Sequence, residues 1–343
     1  MPETTKGIDV AKVSAWLEQN IPGVSGPFHF ELIAGGHSNL TYAATGADGR
    51  KLVLRRPPLG HVLATAHDMG REHKIISALG HTDVPVAPTL GLCADETVNG
   101  APFYVMDFVD GRVLRDAAAA RAISVEARRN ASFSIADTLA RIHAVDPATV
   151  GLGDLGKTEG YIARQLKRWY SQFQQSQTRD LPDVDAVHEA LSARIPEQGP
   201  ATIVHGDYRL DNCMTDADGN VIAVLDWEIC TLGDPLADVG LLMVYWTEAS
   251  DASPMLLTAP TTVEGFLSRK EMLDRYAEAS GRDLSQIDFY TAFGYWKLAC
   301  IVEGVYARYV DGAMGSDASG FEGFAVQVER CAEAAADAVA RLG

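Results

Sequence analysis

Residues 205–212 read HGDYRLDN, and Asp226 follows fourteen residues after Asn212 in the stretch VIAVLDWE (221–228). Before His205 stands ATIV (201–204), and before Asp226 stands VIAVL; both are short, apolar, β-branched runs of the kind that form buried strands. Between them DADGN (216–220) has the composition of a hairpin turn. Gly, Asp and Asn also favour ordinary turns for purely conformational reasons, so an Asp-rich loop is the competing reading. The flanking strands decide against it, because they bring Asp207, Asn212 and Asp226 to the same end.

Two carboxylates and an amide at this spacing suit phosphoryl transfer. That reaction asks for an oriented acceptor hydroxyl and neutralised phosphate charge, and for little covalent help. Asp207 is the candidate catalytic base, accepting a hydrogen bond from the hydroxyl and then its proton. Mg²⁺ prefers hard oxygen donors, which Asn212 and Asp226 supply. The protein-kinase pattern H-R-D-x-x-x-x-N has the same interval as Asp207 to Asn212. Here Gly206 replaces the Arg, and Asp226-Trp227-Glu228 stands where kinases have Asp-Phe-Gly.

HGDYRLDN, followed by VLDWEICTLGDPLADVG (224–240), resembles the aminoglycoside phosphotransferase and choline kinase-like superfamily. Within it the chain is most similar to the kinase-like domain fused to some acyl-CoA dehydrogenases and to its free-standing bacterial relatives. The resemblance covers most of the chain and implies an α+β, bilobal, protein-kinase-like fold. The N-lobe would be a small antiparallel sheet with one crossing helix (1–108), and the C-lobe larger and mainly helical (109–343), with ATP in the cleft between them. Asp207 then matches the catalytic base, and Asn212 and Asp226 match the Mg²⁺ ligands.

Composition agrees with a soluble, cytoplasmic enzyme. The 343 residues are 47% hydrophobic, enough for a substantial core. No run approaches the ~20 apolar residues of a membrane span. The N-terminus MPETTKGIDV carries no secretory pattern. Cys93, Cys213, Cys230, Cys300 and Cys331 have no paired or metal-type spacing, which suggests a reducing compartment and no structural zinc. With 29 basic against 46 acidic residues the net charge is −17, which disfavours nucleic acid and anionic membrane as partners. The expected partner is a small molecule bearing a hydroxyl.

ATP needs a local positive patch, and the first hundred residues offer one. FHFELIAGGHSNLTYAATGADGRKLVLRR (28–56) alternates apolar and polar residues around two turns, giving three antiparallel strands. The first turn, Gly35-Gly36-His37-Ser38-Asn39, is placed to cover the phosphates, since glycine lets backbone N–H groups approach closely. A kinase third strand supplies a Lys to the phosphates, paired with a helix Glu. Arg55 in LVLRR takes that place here, as expected of the dehydrogenase-associated subgroup, and Glu72 in the amphipathic 66–80 segment is its expected partner. A guanidinium forks two oxygens where an ammonium acts as a point charge. The strand 103–108 leads to the hinge, where the main-chain atoms of Asp107, Phe108 and Val109 are candidates for the adenine edge.

Helices are expected beyond the hinge: one capped by Ser124, one over 161–173, then roughly 261–279, 284–311 and 321–341. Arg209, two residues after Asp207, is a candidate for countering charge on the transferred phosphoryl group, with a plain ion pair as the alternative. Glu228 is a candidate for the metal shell through water, or a cap on the next turn. Asp238 resembles the buried Asp that braces the catalytic loop, and His143 reads as a satisfied structural histidine. The large-lobe segments that the family resemblance places near the acceptor carry Arg164, Arg168, Lys297 and Arg308 among aromatic residues; with the subgroup's association with acyl-CoA dehydrogenases, this favours an anionic or amphipathic acceptor such as a hydroxy acid or hydroxyacyl-CoA. Aminoglycoside or macrolide phosphorylation is the alternative activity. A catalytically silent nucleotide-binding regulator is the alternative of another class, supported by the Arg55 and Trp227 departures.

Overall fold

A computed structural model describes residues 5–34, 39–59, 67–251, 259–312 and 322–342. Gly35, Gly36, His37 and Ser38 lie outside the described residues. The chain divides into two compact units, Met1–Gly111 with Ile222–Glu228, and Arg112–Val221 with Ile229–Gly343.

In the first unit the chain runs α1 (Val10–Asn20), β1 (His29–Ala34), β2 (Leu40–Thr45), β3 (Lys51–Arg56), α2 (Met69–Leu79), β4 (Thr89–Cys93), α3 (Glu96–Asn99) and β5 (Phe103–Asp107). The five strands form one antiparallel sheet in the order β1-β2-β3-β5-β4. Strand periodicity explains its two faces. Leu52 and Leu54 of β3 join Val13 and Leu17 of α1 in one apolar cluster. Arg55, of opposite parity, points to the other face, where α2 buries Ile75, Ile76 and Leu79. The sheet thus carries a second helix, α1, beyond the single one expected. Asp9 caps it by accepting from the Lys12 N–H at 3.2 Å.

The second unit contains β6 (Arg112–Val113), α4 (Ala117–Arg121), α5 (Val125–Ala144), α6 (Tyr161–Ser176), α7 (Pro182–Ser192), β7 (Thr202–Val204), β8 (Cys213–Thr215), β9 (Val221–Val224), β10 (Thr231–Gly233), α8 (Leu236–Tyr245), α9 (Arg269–Ser280), α10 (Ile287–Val310) and α11 (Glu322–Ala340). Only the first residue of β9 belongs to this unit; the rest leads into the 222–228 segment. Its core gathers Leu166 and Phe173 of α6, Val184 of α7, Phe293 and Trp296 of α10 and Val328 of α11. The Trp296 indole donates to the Val184 carbonyl at 3.0 Å, so this buried ring leaves no polar atom unsatisfied.

Helix α9 begins at Arg269, eight residues later than periodicity suggested. Two local causes set its start. Ser268 and Glu271 form a reciprocal capping box. Upstream, Gly265 has φ +109°, and a Cβ there would lie 2.9 Å from the Val125 carbonyl oxygen, so helical backbone cannot extend back through it. Among the described residues, no helix is long and apolar enough to cross a membrane.

Candidate active site

The first unit brings Arg55, Glu72, Asp226, Glu228 and Asn39 together. Arg55 Nε lies 3.1 Å from Glu72 Oε1, and Nη2 lies 2.5 Å from Asp226 Oδ1 and 4.0 Å from Glu228 Oε2. Burial works against the Arg55 charge, but Glu72, Tyr104 and Asp226 outweigh it and raise the pKa. Burial pushes Glu72 up, opposed chiefly by Arg55. Asn39 closes the cluster: its Nδ2 donates to Glu72 Oε2 and Glu228 Oε2, both at 3.4 Å, and its Oδ1 lies 2.8 Å from His67 Nδ1. Its side chain therefore serves the carboxylates. His67 and Tyr104 carried no motif that would have marked them.

Asp226 has φ +63° and is the one non-glycine residue with positive φ among those described. Left-handed backbone costs roughly 1–3 kcal/mol outside glycine, less for Asp than for most residues, and it concentrates at functional sites. Three bonds hold it here. Val224 N–H donates to the Pro85 carbonyl at 2.8 Å, the Trp227 indole donates to the Val224 carbonyl at 3.0 Å, and Arg71 Nη1 donates to the Glu228 carbonyl at 3.4 Å.

At the end of β5, the Asp107 N–H donates to the Pro88 carbonyl at 2.9 Å. Its carboxylate pairs with Arg50 at 3.1 Å. Its amide is thus already spent, which leaves Phe108 and Val109 as the main-chain donors among the three hinge candidates. Lys51 Nζ lies over the Phe108 ring, 5.2 Å from its centroid.

The second unit carries the HGDYRLDN loop, built between β7 and β8. Asn212 Nδ2 donates to both the Asp207 carbonyl (2.8 Å) and Asp207 Oδ2 (2.9 Å), locking the two motif residues together. Because the amide nitrogen is used on Asp207, the amide oxygen remains as its donor to a cation. Arg209 Nε lies 3.3 Å from Asp207 Oδ2, Nη1 lies 2.8 Å from Asp211 Oδ2, and the guanidinium sits over the Tyr245 ring at 5.0 Å. Burial opposes the Arg209 charge, but Asp207, Tyr245 and Asp211 raise its pKa. Asp211, inside the motif but not singled out by it, is pushed up by burial and pulled back by Arg209.

Buried groups brace this loop. Asp238 accepts from the His205 N–H at 2.7 Å and the Gly206 N–H at 2.8 Å, and lies 3.3 Å from His143 Nε2. His143 Nδ1 is 2.7 Å from the Tyr276 hydroxyl. Burial lowers the His143 pKa, so a neutral ring donates from Nε2 to Asp238 and accepts from Tyr276. Gly206 has φ +87°, and a Cβ there would meet the Ile229 side chain at 3.1 Å, which accounts for glycine in place of the kinase arginine. Of the four cations expected near an acceptor, Lys297 reaches the loop, with Nζ 2.9 Å from the Gly206 carbonyl. Arg168 and Lys297 both lie over the Trp169 ring, at 5.2 and 5.7 Å. Arg164 instead donates to the Lys157 carbonyl, and Arg308 is exposed.

In the first unit the carboxylates of Asp226 and Glu228 are hard oxygens of the kind Mg²⁺ prefers, and Arg55 occupies only Oδ1 of Asp226. In the second unit the Asn212 amide oxygen is a donor of the same chemical kind. Among the described residues no group of three or more His, Cys, Asp or Glu is arranged as a ready-made metal cage.

An antiparallel sheet unit with a buried Arg–Glu pair, followed by a mainly helical unit with an Asp–Asn loop, is the kinase-like fold of small-molecule phosphotransferases. The chain belongs to the phosphotransferase enzyme family, whose pattern matches residues 29–290. It is similar to acyl-CoA dehydrogenase family member 10 of Mus musculus, with 35% identity over 313 residues, covering 88% of this chain and 29% of that protein. The chain therefore spans less than a third of that relative. A crystallised Ralstonia eutropha protein, described as a candidate aminoglycoside phosphotransferase, is 33% identical with a TM-score of 0.83, covering 97% of this chain and 98% of the other. A thermostable mutant of aminoglycoside phosphotransferase APH(4)-Ia, solved with AMP-PNP and hygromycin B, shares the fold at 16% identity and a TM-score of 0.61, covering 95% of this chain and 98% of the other.

Proposed function

We propose that the chain transfers the γ-phosphoryl group of ATP to a hydroxyl of a small molecule in a Mg²⁺-dependent reaction. The observation that carries this reading is the Asp207 carboxylate, bonded by Asn212 in a loop braced by buried Asp238. Asp207 accepts a hydrogen bond from the acceptor hydroxyl and takes its proton as the acceptor oxygen bonds to the γ-phosphorus. The bond from that phosphorus to the β,γ-bridging oxygen breaks, and ADP leaves with the electron pair. Arg55 contacts the α- and β-phosphates, and Arg209 counters charge on the equatorial oxygens of the moving group. Phe108 and Val109 offer backbone atoms to adenine. Asn212 and Asp226 would hold the Mg²⁺, with Glu228 joining through water; the bound ion supplies charge neutralisation on the phosphates.

For the acceptor, a hydroxy acid or hydroxyacyl-CoA is favoured over an aminoglycoside or macrolide. Two features support this. Relatives of the chain are acyl-CoA dehydrogenase family members, and exposed Arg168 over the Trp169 ring suits an anionic or amphipathic molecule better than a polycationic sugar. A cytoplasmic setting belongs to the same proposal, supported by five buried cysteines that form no disulfide. One observation favours the silent regulator instead: Arg55 bonds directly to Asp226, a proposed metal ligand.

Purified chain with Mg²⁺-ATP, screened by mass spectrometry against hydroxyacyl-CoA thioesters and kanamycin, separates these readings. Phosphorylated thioester is expected, with Asp207→Asn lowering turnover by roughly 10²–10⁴-fold while nucleotide affinity is kept. Efficient phosphorylation of kanamycin alone would reverse the acceptor assignment. Nucleotide binding with no transfer to any acceptor would identify the regulator.

A further inference from the structure

We infer that Lys297 is a positioning residue for the Asp207 loop, holding the Gly206 carbonyl while Asp238 holds its N–H. The inference rests on the proposed role of Asp207. The two backbone polar groups of Gly206 go to side chains of opposite charge: its N–H to Asp238 Oδ1 at 2.8 Å, and its carbonyl to Lys297 Nζ at 2.9 Å. With both groups held and φ fixed at +87°, the direction in which the chain delivers Asp207 is determined on each side of the glycine.

The position of Lys297 makes a purely structural purpose hard to sustain. It lies in α10 between Trp296 and Leu298, in a stretch whose neighbours pack the apolar core, and is itself only 5% exposed. Its ammonium forms no salt bridge among the described residues; the Gly206 carbonyl is its hydrogen-bond acceptor, and Trp169 lies beneath it. Burial lowers its pKa, opposed by the fields of Asp207 and Asp238. A buried ammonium with so little direct compensation costs stability that Met or Leu would not. Such exceptions to core chemistry are expected where a site is held for function. What the charge secures is a strong bond to one carbonyl, immediately before the residue that takes the proton.

The test uses the full chain and the variants Lys297→Met and Lys297→Arg. Four quantities are measured: thermal midpoint, ATP affinity, ADP formation with water as acceptor, and amide hydrogen exchange of the peptide covering 205–212. Lys297→Met is expected to melt at the same or a higher temperature and to bind Mg²⁺-ATP as tightly as the parent. Its kcat should fall roughly 10²-fold, as for a misplacement of about 1 Å, with KM for ATP unchanged. The loop amides should exchange at least about fivefold faster through easier local opening. Lys297→Arg should recover part of both the rate and the protection. Unchanged exchange over 205–212 in Lys297→Met overturns the inference, as does a kcat loss that merely tracks a lowered melting temperature. If the parent forms no ADP yet the exchange and its rescue appear, the clamp stands and the phosphotransferase reading fails.

Discussion

Arg55 shows how much one residue can decide. A lysine ammonium would have to meet both carboxylates from a single nitrogen, whereas this planar guanidinium meets Glu72 through Nε and Asp226 through Nη2. The Glu72 contact was legible in the sequence, because a strand ending in a cation is followed by an amphipathic helix carrying an acid. The Asp226 contact was not, because it joins residues 171 positions apart. Arg55→Ala is expected to weaken ATP binding about 10–100-fold in calorimetry, from charge-assisted bonds worth roughly 1.5–3 kcal/mol. An unchanged dissociation constant would remove Arg55 from the phosphate site. Arg55→Lys should fall between the two, since it restores charge without the fork.

At the scale of elements, α9 and α8 mark where pattern reading succeeds and where it stops. Sequence chemistry at Ser268 and Glu271 sets the start of α9 as a capping box, even though apolar periodicity suggested an earlier one. Ser268→Ala should lower stability by about 1 kcal/mol, read as a shift in a urea or thermal midpoint. No shift would mean that tertiary packing alone fixes that end. Helix α8 lacks a polar face altogether: every residue from Ala237 to Val244 is buried, including Asp238. A short apolar run of this kind has no periodicity to separate helix from strand. Only the neighbours that surround it on all sides reveal what it is, and α1 is visible in the same way, through the sheet face it covers.

For the molecule as a whole, acid sensitivity follows from the brace beneath the HGDYRLDN loop. Burial holds the His143 pKa below its ordinary value of 6.5, against the pull of Asp238. Between the folded value and 6.5 the unfolded chain binds more protons. Stability is therefore complete above about pH 6.5 and declines as pH falls through that value toward the folded pKa. Burial alone would raise Asp238, but His143, His205 and the Gly206 N–H hold it below 3.8, which adds a second loss from about 3.8 downward. Thermal midpoints between pH 7.5 and 5 should fall with acid, and His143→Gln should flatten part of that slope. An unchanged slope in the variant would exclude His143 as a contributor.

The sequence by itself determined the kinase-like fold class and the residues carrying the site pattern. Strand and helix periods are local, and HGDYRLDN with Asp226 compresses the proposed chemistry into 22 residues. It also showed Gly206 in place of a kinase arginine and singled out Asp238 by its resemblance to the Asp that braces such loops, while the left-handed φ of Gly206 is seen only in the structure. Tertiary structure decided the rest: Arg55 on Asp226, Asn39 between two carboxylates, and Lys297 on the Gly206 carbonyl. These contacts join residues 171, 33, 189 and 91 positions apart. Their partners are chosen by the packing of sheet and helices, which no local pattern encodes.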